Sequence, residues 1–311
     1  MSFSKEIKTE ITGQEKSKLE YISTLSAFLR HSAYIGNEEI KIFTENVRVA
    51  RYIFKLIKEI YNISPIITIR RRYNFNESFL YILEVKSMVN LILEDVSIKH
   101  KGNNIEVPLE YIVSDEEIKR AYLTGCFLAC GSINNPKTAR YHLEFSVSNN
   151  SGASFLNDLL NSYELNSKII SKNRGYVVYV KEAEKISDFL KIMNVPGAVL
   201  YFEDIRIYRD HVNMTNRLNN CEQANMDKII FSADEQIDDI KIIVERFNGL
   251  ELLDEKIRVV CEYRLKYPES SLQELSEIIS IETEKPITKS GLNHRFRKIK
   301  EIANKIRNKN I

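Results

Sequence analysis

The stretch Leu123-Thr-Gly-Cys-Phe-Leu-Ala-Cys-Gly131 is decisive for the fold, because it combines large apolar residues with glycine, alanine and cysteine over a helical length. A second stretch of the same kind, Leu25-Ser-Ala-Phe-Leu-Arg-His-Ser-Ala33, lies 98 positions earlier. Both are interpreted as helices that are rich in small residues. Their repetition indicates that the chain contains a duplicated unit.

The segments that follow these two helices repeat as well. Alternating and periodic apolar patterns predict the same order of elements in both copies. The first copy has predicted strands at 39–44, 66–72 and 80–85 and predicted helices over 47–61 and 87–93, and the second has strands at 141–148 and 176–180 and a helix over 154–163. A chance alignment is the alternative, but the shared order favours a pseudo-symmetric α+β body of about 200 residues.

The C-terminal stretch Thr288-Lys-Ser-Gly-Leu-Asn-His-Arg-Phe-Arg-Lys-Ile-Lys-Glu-Ile-Ala-Asn-Lys-Ile-Arg307 has a different pattern. Its apolar residues predict one stripe along a helix, made of Leu292, Phe296, Ile299, Ala303 and Ile306. The opposite side carries Ser290, His294, Arg297, Lys298 and Lys305, with Asn293 on its flank. A helix with one apolar side and one cationic, amide-bearing side suits the major groove of DNA. The alternative is a solvated basic helix.

A shorter helix is predicted directly before this one. Ser271-Leu-Gln-Glu274 has the pattern of a capping box, and an apolar face follows, made of Leu272, Leu275, Ile278 and Ile279. A connection of roughly eight residues with Pro286 then leads to Thr288, which is placed to cap the long helix. This order is that of a helix-turn-helix, with a connection longer than usual. Gly291 weakens the first turn of the long helix, which either a close approach to another surface or an ordinary packing contact would explain.

Length and composition indicate two or three domains and a sizeable core. The chain has 311 residues, of which 43% are hydrophobic and 28% charged. Its net charge is only +2, so the basic character is local to the C-terminus and to Arg70-Arg71-Arg72. The sequence has neither a signal-peptide core nor an apolar run of membrane-spanning length. We therefore expect a cytoplasmic protein without membrane contact, which DNA binding by the basic helix would make nucleoid-associated.

The four cysteines, at positions 126, 130, 221 and 261, are too few and too scattered for a disulfide framework. Cys126 and Cys130 lie four positions apart on a predicted helix and could both touch a metal, but no neighbouring His or Cys pair would complete the site. Buried free thiols are the favoured interpretation. We expect no metal and no cofactor.

A carboxamide-rich segment precedes the C-terminal helices. Asn216-Arg-Leu-Asn-Asn-Cys-Glu-Gln-Ala-Asn225 has side chains that favour caps and turns, so we interpret 213–231 as an ordered connector. An interface with DNA or with another domain is the alternative. One helix is predicted from its cap at Ser232 to Phe247, and another over about 252–267. These two helices and the two predicted after Ser271 and Thr288 together predict a four-helix C-terminal domain.

The two helices that are rich in small residues resemble the LAGLIDADG motif of homing endonucleases. Leu123–Gly131 keeps the leucine, both glycines and the alanine of that motif. The resemblance implies that the two helices pack side by side and that curved sheets flank them. In that family the eighth motif position is a carboxylate that holds a divalent ion, whereas here it is Ser32 in one copy and Cys130 in the other. Because a thiol is a poor ligand for Mg²⁺, we expect no nuclease activity.

A LAGLIDADG-like body followed by a helix-turn-helix resembles the WhiA family of bacterial sporulation and cell-division regulators. The match is carried by 121–133, 216–225, 271–276 and 288–299. The expected fold is α+β, a pseudo-symmetric duplicated LAGLIDADG homing-endonuclease-like domain followed by an all-α helix-turn-helix domain. The expected parts are an N-terminal arm or helix at 1–18, repeats at 19–110 and 111–212, a linker at 213–231 and the DNA-binding domain at 232–311. A charged insertion at 281–286 departs from the shorter turn of the family.

The resemblance implies a DNA-binding protein of bacterial cell division and chromosome segregation and, in spore-formers, a transcriptional regulator. Double-stranded DNA is the expected partner, with another regulatory protein on the LAGLIDADG-like domain as a second one. Asn293 is the candidate for reading adenine, and Arg297 for reading guanine. Phosphate contacts are expected from Lys289, Arg295, Lys298 and Lys300, with Ser290 and Thr288 beside the helix amides. Ser271 and His294 complete the candidate set, although a merely solvated imidazole would explain His294 equally well.

Other interpretations stay open at this point. Arg70 and Arg72 share a face of a predicted strand and could touch a phosphate backbone, although an exposed charge run is the simpler explanation. An endonuclease with displaced acids, such as Glu45 or Asp115, is one alternative function. An interaction protein whose basic tail binds RNA or an acidic partner is another. No phosphate-binding glycine-rich loop, HExxH motif or GxSxG motif occurs in the sequence.

Overall fold

The computed structural model describes residues 2–36, 38–72 and 78–309, apart from the side chains of Arg72, Ser78 and Lys309. By its internal contacts the chain divides into two compact parts, Met1–Arg209 and Asp210–Ile311, here called unit 1 and unit 2. Unit 1 contains helices and sheets, whereas the described elements of unit 2 are helices.

Unit 1 begins with the helix α1 (Phe3–Ile11) and continues with two copies of one arrangement. The first copy contains α2 (Lys18–Ser32), β1 (Ala33–Ile35), β2 (Ile40–Thr44), α3 (Val47–Tyr61), β3 (Ile66–Arg72), β4 (Ser78–Val85) and α4 (Val89–Asp95). The copies are connected by a short hairpin, β5 (Lys99–His100) and β6 (Asn103–Asn104), and by a 3-10 turn at Glu110–Val113. The second copy contains α5 (Glu116–Cys130), β7 (Gly131–Ile133), β8 (Leu143–Val147), α6 (Asn150–Asn161), β9 (Lys168–Lys172), β10 (Gly175–Val180) and α7 (Ala183–Ile192).

Each copy forms a four-stranded antiparallel sheet with the same strand order, which is β1-β2-β4-β3 in the first copy and β7-β8-β10-β9 in the second. In the central pairs, Ile42 of β2 lies opposite Leu83 of β4, and Phe145 of β8 lies opposite Val178 of β10. All four side chains are buried, so each sheet turns one face to the core of unit 1. The duplication that the sequence predicts is therefore present in the fold.

The two helices that are rich in small residues, α2 and α5, pack directly against each other. Gly125 lies at their close approach, because a Cβ atom there would be 2.3 Å from the Thr24 carbonyl oxygen and 2.8 Å from Ala27 Cβ. The Thr24 hydroxyl donates a buried hydrogen bond to the carbonyl of Ala121 at 3.1 Å, which joins the same two helices. This is the side-by-side packing expected from the resemblance to LAGLIDADG proteins.

The helix α1 is part of the core of unit 1. Phe3, Ile7 and Ile11 recur every four residues on one face and are buried, while the other faces are polar. The Ser4 hydroxyl also donates to the carbonyl of Ile133 in β7 at 2.8 Å. Of the two expectations for the first residues, helix and arm, the structure has the helix.

A single helix, α8 (Pro196–Phe247), contains the carboxamide-rich segment. The prediction that 213–231 forms a connector of caps and turns is therefore wrong. The predicted start of a helix at Ser232 is wrong as well, because Ser232 lies inside α8. No Pro or Gly interrupts 198–248, and carboxamides bond within the helix, as from Gln223 Nε2 to Asp227 Oδ1 at 2.9 Å. Neither α8 nor any other helix in the described ranges is both long and apolar enough to cross a membrane.

Unit 2 continues with α9 (Glu255–Lys266), α10 (Leu272–Thr283) and α11 (Lys289–Lys309). Its own core includes Ile240, Cys261, Leu275 and Phe296, one from each of its four helices. The connection between α10 and α11 is shorter than the roughly eight residues predicted, because α10 continues through 281–283 and ends at Glu284 in a left-handed conformation (φ 56°). Within the charged stretch at 281–286, residues 281–283 therefore belong to α10 and 284–286 belong to the connection.

Candidate nucleic-acid interface

Helix α11 packs into unit 2 through its apolar stripe and exposes its polar sides. Leu292, Phe296 and Ile299 are buried. Arg295 is half-buried, because its position lies between Leu292 and Ile299 on the helix. Six side chains form the exposed face that we call the α11 surface: Lys289, Ser290, Asn293, His294, Arg297 and Lys298. Six of the ten candidate DNA-contacting residues between Ser271 and Lys300 thus share one accessible surface.

Two hydroxyl residues of the candidate set begin the two helices of the helix-turn-helix. Thr288 Oγ1 accepts a hydrogen bond from the backbone N–H of Gly291 at 3.1 Å and so caps α11. Ser271 Oγ accepts from the N–H of Glu274 at 3.2 Å, and its own N–H donates to Glu274 Oε2 at 2.8 Å. The backbone and hydroxyl of Ser271 hold the pKa of the Glu274 carboxyl below its usual range. The capping box is confirmed, whereas a DNA contact from Thr288 or Ser271 stays a prediction.

Gly291 has no neighbour that requires a glycine. A Cβ atom at this position would meet Thr288 Oγ1 at 3.4 Å and Ile287 Cγ1 at 3.6 Å, which are ordinary contact distances. Of the two explanations for this glycine, packing within the chain is therefore not supported by the surroundings. The close approach of another surface to Gly291 stays a prediction.

Two basic side chains of the long helix have acidic partners within unit 2. Arg307 Nη2 lies 2.9 Å from Oδ1 of the buried Asp239 on α8. Lys300 Nζ lies 3.4 Å from Glu235 Oε2, and because both groups are exposed this pair adds little stability and exchanges easily. In the part of the chain that the structure describes, Lys289, Arg297 and Lys298 have no ion pair. Their charges are available to an anion.

A buried arginine that the sequence does not identify anchors α11. Arg264 of α9 is 1% exposed, and its guanidinium donates to Gln236 Oε1 at 3.0 Å and to the Ser270 carbonyl at 2.6 Å. It also lies over the ring of Phe296 on α11, 5.4 Å from the centroid. Burial lowers the pKa of Arg264, because the charged form has lost its water. The Arg264 side chain thus connects three helices, α8, α9 and α11, with the turn that precedes α10.

In unit 1, the two positions that correspond to the endonuclease acids end the paired helices. Ser32 Oγ donates to the Phe43 carbonyl at 2.5 Å, and Cys130 Sγ donates to the Cys126 carbonyl at 3.3 Å. Burial raises the pKa of Cys130 to about 12, so its thiol stays protonated at neutral pH. Neither side chain offers the carboxylate oxygen that Mg²⁺ prefers. This donor pair does not fit a divalent metal.

A lysine of α1 lies close to Cys130. Lys8 Nζ donates to the Leu128 carbonyl at 3.1 Å and lies 5.5 Å from the centroid of the Phe127 ring. Burial lowers the pKa of Lys8 to about 8, against a smaller opposing effect of Cys130. A surface cavity of about 470 Å³ adjoins it, with a lining that includes Ser4, Lys5, Glu45 and Ser132. The sequence offers no signal for this lysine beyond its place on an amphipathic helix.

The two acids considered for a displaced nuclease centre lie apart from each other. Glu45 lines the cavity beside Lys8. Asp115 lies at the opposite end of α5 from Cys130, where its Oδ1 accepts from the N–H of Ile118 at 2.9 Å and caps the helix. Within the described residues, no three His, Cys, Asp or Glu side chains come together as metal ligands would.

Arg70 and Arg72 belong to β3, the edge strand of the first sheet. Arg70 is exposed and lies opposite Leu80 of β4. The side chain of Arg72 lies outside the described residues, although strand alternation places both positions on one face. These two candidates belong to unit 1, whereas the α11 surface belongs to unit 2.

Three protein-family models match the chain. The WhiA N-terminal LAGLIDADG-like domain matches residues 19–99, and the WhiA LAGLIDADG-like domain matches residues 119–212. The WhiA C-terminal HTH domain matches residues 215–303. The α11 surface therefore lies within a matched helix-turn-helix domain.

The chain is also similar to complete proteins and to a solved structure. The probable cell division protein WhiA of Staphylococcus epidermidis is 42% identical over 312 residues, which cover 99% of this chain and 98% of the relative. The protein of the same name from Staphylococcus aureus is 40% identical over 312 residues, with the same coverage. The crystal structure of full-length DUF199/WhiA from Thermotoga maritima has a TM-score of 0.60 at 24% identity and covers 98% of this chain and 99% of that one. The chain therefore belongs to the WhiA family, whose two LAGLIDADG-like domains and C-terminal HTH domain it carries.

Proposed function

We propose that this chain is a non-catalytic DNA-binding protein that places α11 in the major groove of duplex DNA. The observation that carries the proposal is the α11 surface. Five Lys or Arg residues and no acid occur from Thr288 through Lys300, and the α11 surface combines three of them, Lys289, Arg297 and Lys298, with an amide and a hydroxyl. The major groove admits an α-helix and presents base edges that such groups recognise.

Asn293 and Arg297 are the proposed base readers. They lie four residues apart, so their side chains are neighbours on one side of the helix. A carboxamide pairs with N6 and N7 of adenine, and a guanidinium pairs with O6 and N7 of guanine. The proposed phosphate contacts come from Lys289, Arg295, Lys298 and Lys300, with the hydroxyls of Ser271, Thr288 and Ser290 and the ring of His294 around them.

The substitution Asn293→Ala tests the base-reading role. A preferred duplex is first selected from a random pool with the natural sequence, and affinities for that duplex and for random duplex are then measured at one salt concentration. We expect a loss of about 1–3 kcal/mol on the preferred duplex and a much smaller loss on random duplex. Asn308→Ala, an exposed change near the other end of α11, is the matched control. Equal losses on both duplexes would show that Asn293 reads no base.

Competition with RNA separates this proposal from binding of an RNA by the basic tail. The major groove of A-form RNA is too narrow and deep to admit a helix. We therefore expect unlabelled duplex DNA to displace labelled DNA at much lower concentration than duplex RNA does. Equal competition would favour a charge-only interaction.

We further propose that DNA binding serves bacterial cell division, chromosome segregation and, in spore-formers, sporulation, with the protein at the nucleoid. Support comes from the relatives, which are named probable cell division proteins. Genome-wide mapping of bound sites, with the natural chain and with Asn293→Ala/Arg297→Ala, tests this role. We expect discrete sites near division and segregation genes, and their loss in the variant.

The proposal includes no hydrolysis of DNA. Support comes from Ser32 and Cys130, a hydroxyl and a thiol that stand at the C-terminal ends of α2 and α5 in place of carboxylates and are engaged in hydrogen bonds to backbone carbonyls. Supercoiled plasmid incubated with Mg²⁺ or Mn²⁺ should therefore stay supercoiled. Nicking that Glu45→Gln abolishes would instead identify a displaced nuclease centre at the cavity beside Lys8.

A protein partner is proposed for the exposed edge of β3. Ile66, Ile67 and Ile69 are 56%, 47% and 59% exposed on this edge strand, and Arg70 beside them is exposed as well. Unpaired edges accept an extended segment of another chain, and the exposed Arg70 favours an acidic one. A photocrosslinking residue at position 69 should give an adduct with a protein, which Ile67→Lys abolishes. An adduct with DNA would assign this edge to the nucleic acid.

A further inference from the structure

One portion of α8 in unit 2 is exposed on every side. All side chains from His211 to Lys228 are exposed. Within this portion, five residues recur at alternating spacings of three and four and so form one line along the helix, here called the seam: His211, Met214, Leu218, Cys221 and Asn225. This spacing is that of the a and d positions of a coiled coil, with 211, 218 and 225 at a and 214 and 221 at d.

The polar residues around the seam follow the same repeat. Five carboxamides lie at the outer b, c and f positions, namely Asn213, Asn216, Asn219, Asn220 and Gln223. The carboxamide of Asn225 lies on the seam, and its Nδ2 is 3.9 Å from Cys221 Sγ, so these two side chains share one face. Met214 and Leu218 are 63% and 54% exposed, and they are the apolar centre of the seam. Val212 and Met226, both at b positions, are the large apolar exceptions outside it, and Ala224 at a g position is a small one.

Two opposite charges flank the seam at the positions that decide pairing. Arg217 is at a g position and Glu222 is at the following e position. Within the described residues neither side chain has an ion-pair partner. In a parallel pair of helices, the g residue of one heptad faces the e residue of the next heptad on the other helix. Two identical helices would therefore form two symmetric pairs between Arg217 and Glu222.

We propose that residues 211–225 of α8 pair in parallel with the same residues of a second copy of this chain. An Asn at an a position specifies this kind of two-stranded register. The seam has only two heptads, which bury far less than the about 800 Å² per partner of a standard interface. The dimer therefore dissociates readily in dilute solution and forms when two copies are concentrated, as on neighbouring half-sites of one DNA. This pairing goes beyond the proposed DNA contact of α11 and does not depend on it.

Thiol crosslinking of the full chain tests the pairing without DNA. Cys221 is exposed, whereas Cys126 and Cys261 are buried and Cys130 is half-buried. A short bis-maleimide, which adds one thiol at each end, should yield a covalent dimer whose amount rises with protein concentration. Cys221→Ser should abolish it. Cys221→Ser/Asn216→Cys, which moves the thiol to an outer f position, should not restore it, and equal yield from this variant would overturn the proposal.

Two further variants connect the dimer to the seam and to its flanking charges. Leu218→Glu should reduce the crosslinked fraction about tenfold or more, and helix content by circular dichroism should stay unchanged because the side chain is exposed. Arg217→Glu should reduce it as well, and Arg217→Glu/Glu222→Arg should restore it. If sedimentation instead finds a monomer at every concentration, both free and on DNA, the pairing is wrong. Variants of α11 that lose DNA binding should still give the crosslinked dimer. The proposed DNA contact and the proposed pairing can therefore fail independently.

Discussion

At Gly291, the first turn of α11 carries no side chain, although its neighbours leave room for a Cβ atom. Glycine lowers helix stability relative to alanine. Gly291→Ala should therefore raise the free energy of unfolding by up to about 1 kcal/mol. It should also weaken DNA binding by about tenfold, because the added methyl group lies where the backbone would approach DNA.

Thermal unfolding and DNA affinity of the same preparation measure these two effects of Gly291→Ala. Asn308→Ala is the control, since it introduces alanine at an exposed position near the other end of α11. A variant that is more stable and binds DNA as well as the natural chain would show that no surface approaches Gly291 closely.

Lys8 should make the stability of unit 1 depend on pH in the alkaline range. Its pKa in the folded chain is about 8, because burial removes water from the ammonium, and the ordinary value is 10.5. Between these values the unfolded chain binds more protons, so the free energy of unfolding rises as the pH increases from about 8 to about 10.5. The contribution of Lys8 to this rise is roughly 1–3 kcal/mol.

Urea unfolding at a series of pH values, with the natural chain and with Lys8→Met, measures this contribution. The variant should lose its part of the rise between pH 8 and pH 10, whereas Lys5→Met, an exposed change on the same helix, should follow the natural chain. Parallel curves for all three proteins would mean that Lys8 is not desolvated.

Among the elements, the pair α2 and α5 depends on one close contact. A methyl group at Gly125 would lie 2.3 Å from the Thr24 carbonyl oxygen, and a backbone atom cannot move aside cheaply. Gly125→Ala should therefore destabilise unit 1 by about 2–4 kcal/mol, in spite of the higher helix propensity of alanine. Calorimetry of the full chain measures the loss. Gly13→Ala, where the added atom would lie 3.5 Å from the nearest neighbour, should be nearly neutral.

Four elements of unit 2 depend on Arg264. Its removal leaves the Ser270 carbonyl and the Gln236 amide oxygen without their donor and removes a cation from the face of Phe296. Arg264→Leu should cost about 2–4 kcal/mol of stability in unit 2 and should weaken DNA binding through α11. Arg258→Leu, in the same helix, removes an arginine from an exposed pair with Glu262 and should cost less than about 1 kcal/mol. A neutral Arg264→Leu would mean that apolar packing replaces this buried cation fully.

The periodic patterns predicted the elements that have one buried face. The helix Val47–Tyr61 has the predicted bounds, and the capping box at Ser271 and the buried stripe of α11 are present as predicted. In these segments the spacing of apolar residues decides the structure, because one face must be buried. Local sequence is sufficient for them.

Features that depend on residues far apart in the sequence were not predictable in this way. The carboxamides of α8 favour turns locally, but without Pro or Gly the helix continues through them. Arg264 looks like an exposed charge in the sequence, although its guanidinium donates to Gln236 Oε1, 28 positions earlier in the chain. Lys8 likewise reaches the Leu128 carbonyl across 120 positions of the chain. Long-range contacts of polar groups leave no periodic signal.

For the whole molecule, charge is concentrated rather than spread. The net charge of 311 residues is +2, yet five Lys or Arg residues and no acid occur from Thr288 through Lys300. Binding of duplex DNA releases about one counterion for each phosphate that a cation neutralises, so the salt dependence of affinity counts the contacts. If α11 supplies the phosphate contacts, substitution of its basic residues should alter the salt dependence of affinity, whereas substitution of basic residues in unit 1 should not.

Affinities for random duplex over a series of salt concentrations test this distribution. Lys298→Ala should weaken binding to all sequences and reduce the slope of log affinity against log salt by about one. Arg70→Ala, which removes an exposed cation of β3 in unit 1, should leave the slope unchanged, and Lys86→Ala is a second control in the same unit. A slope that falls with Arg70→Ala but not with Lys86→Ala would mean that the edge of β3 also contacts the phosphate backbone. The DNA would then engage both units, and the basic strand would belong to the binding surface together with α11.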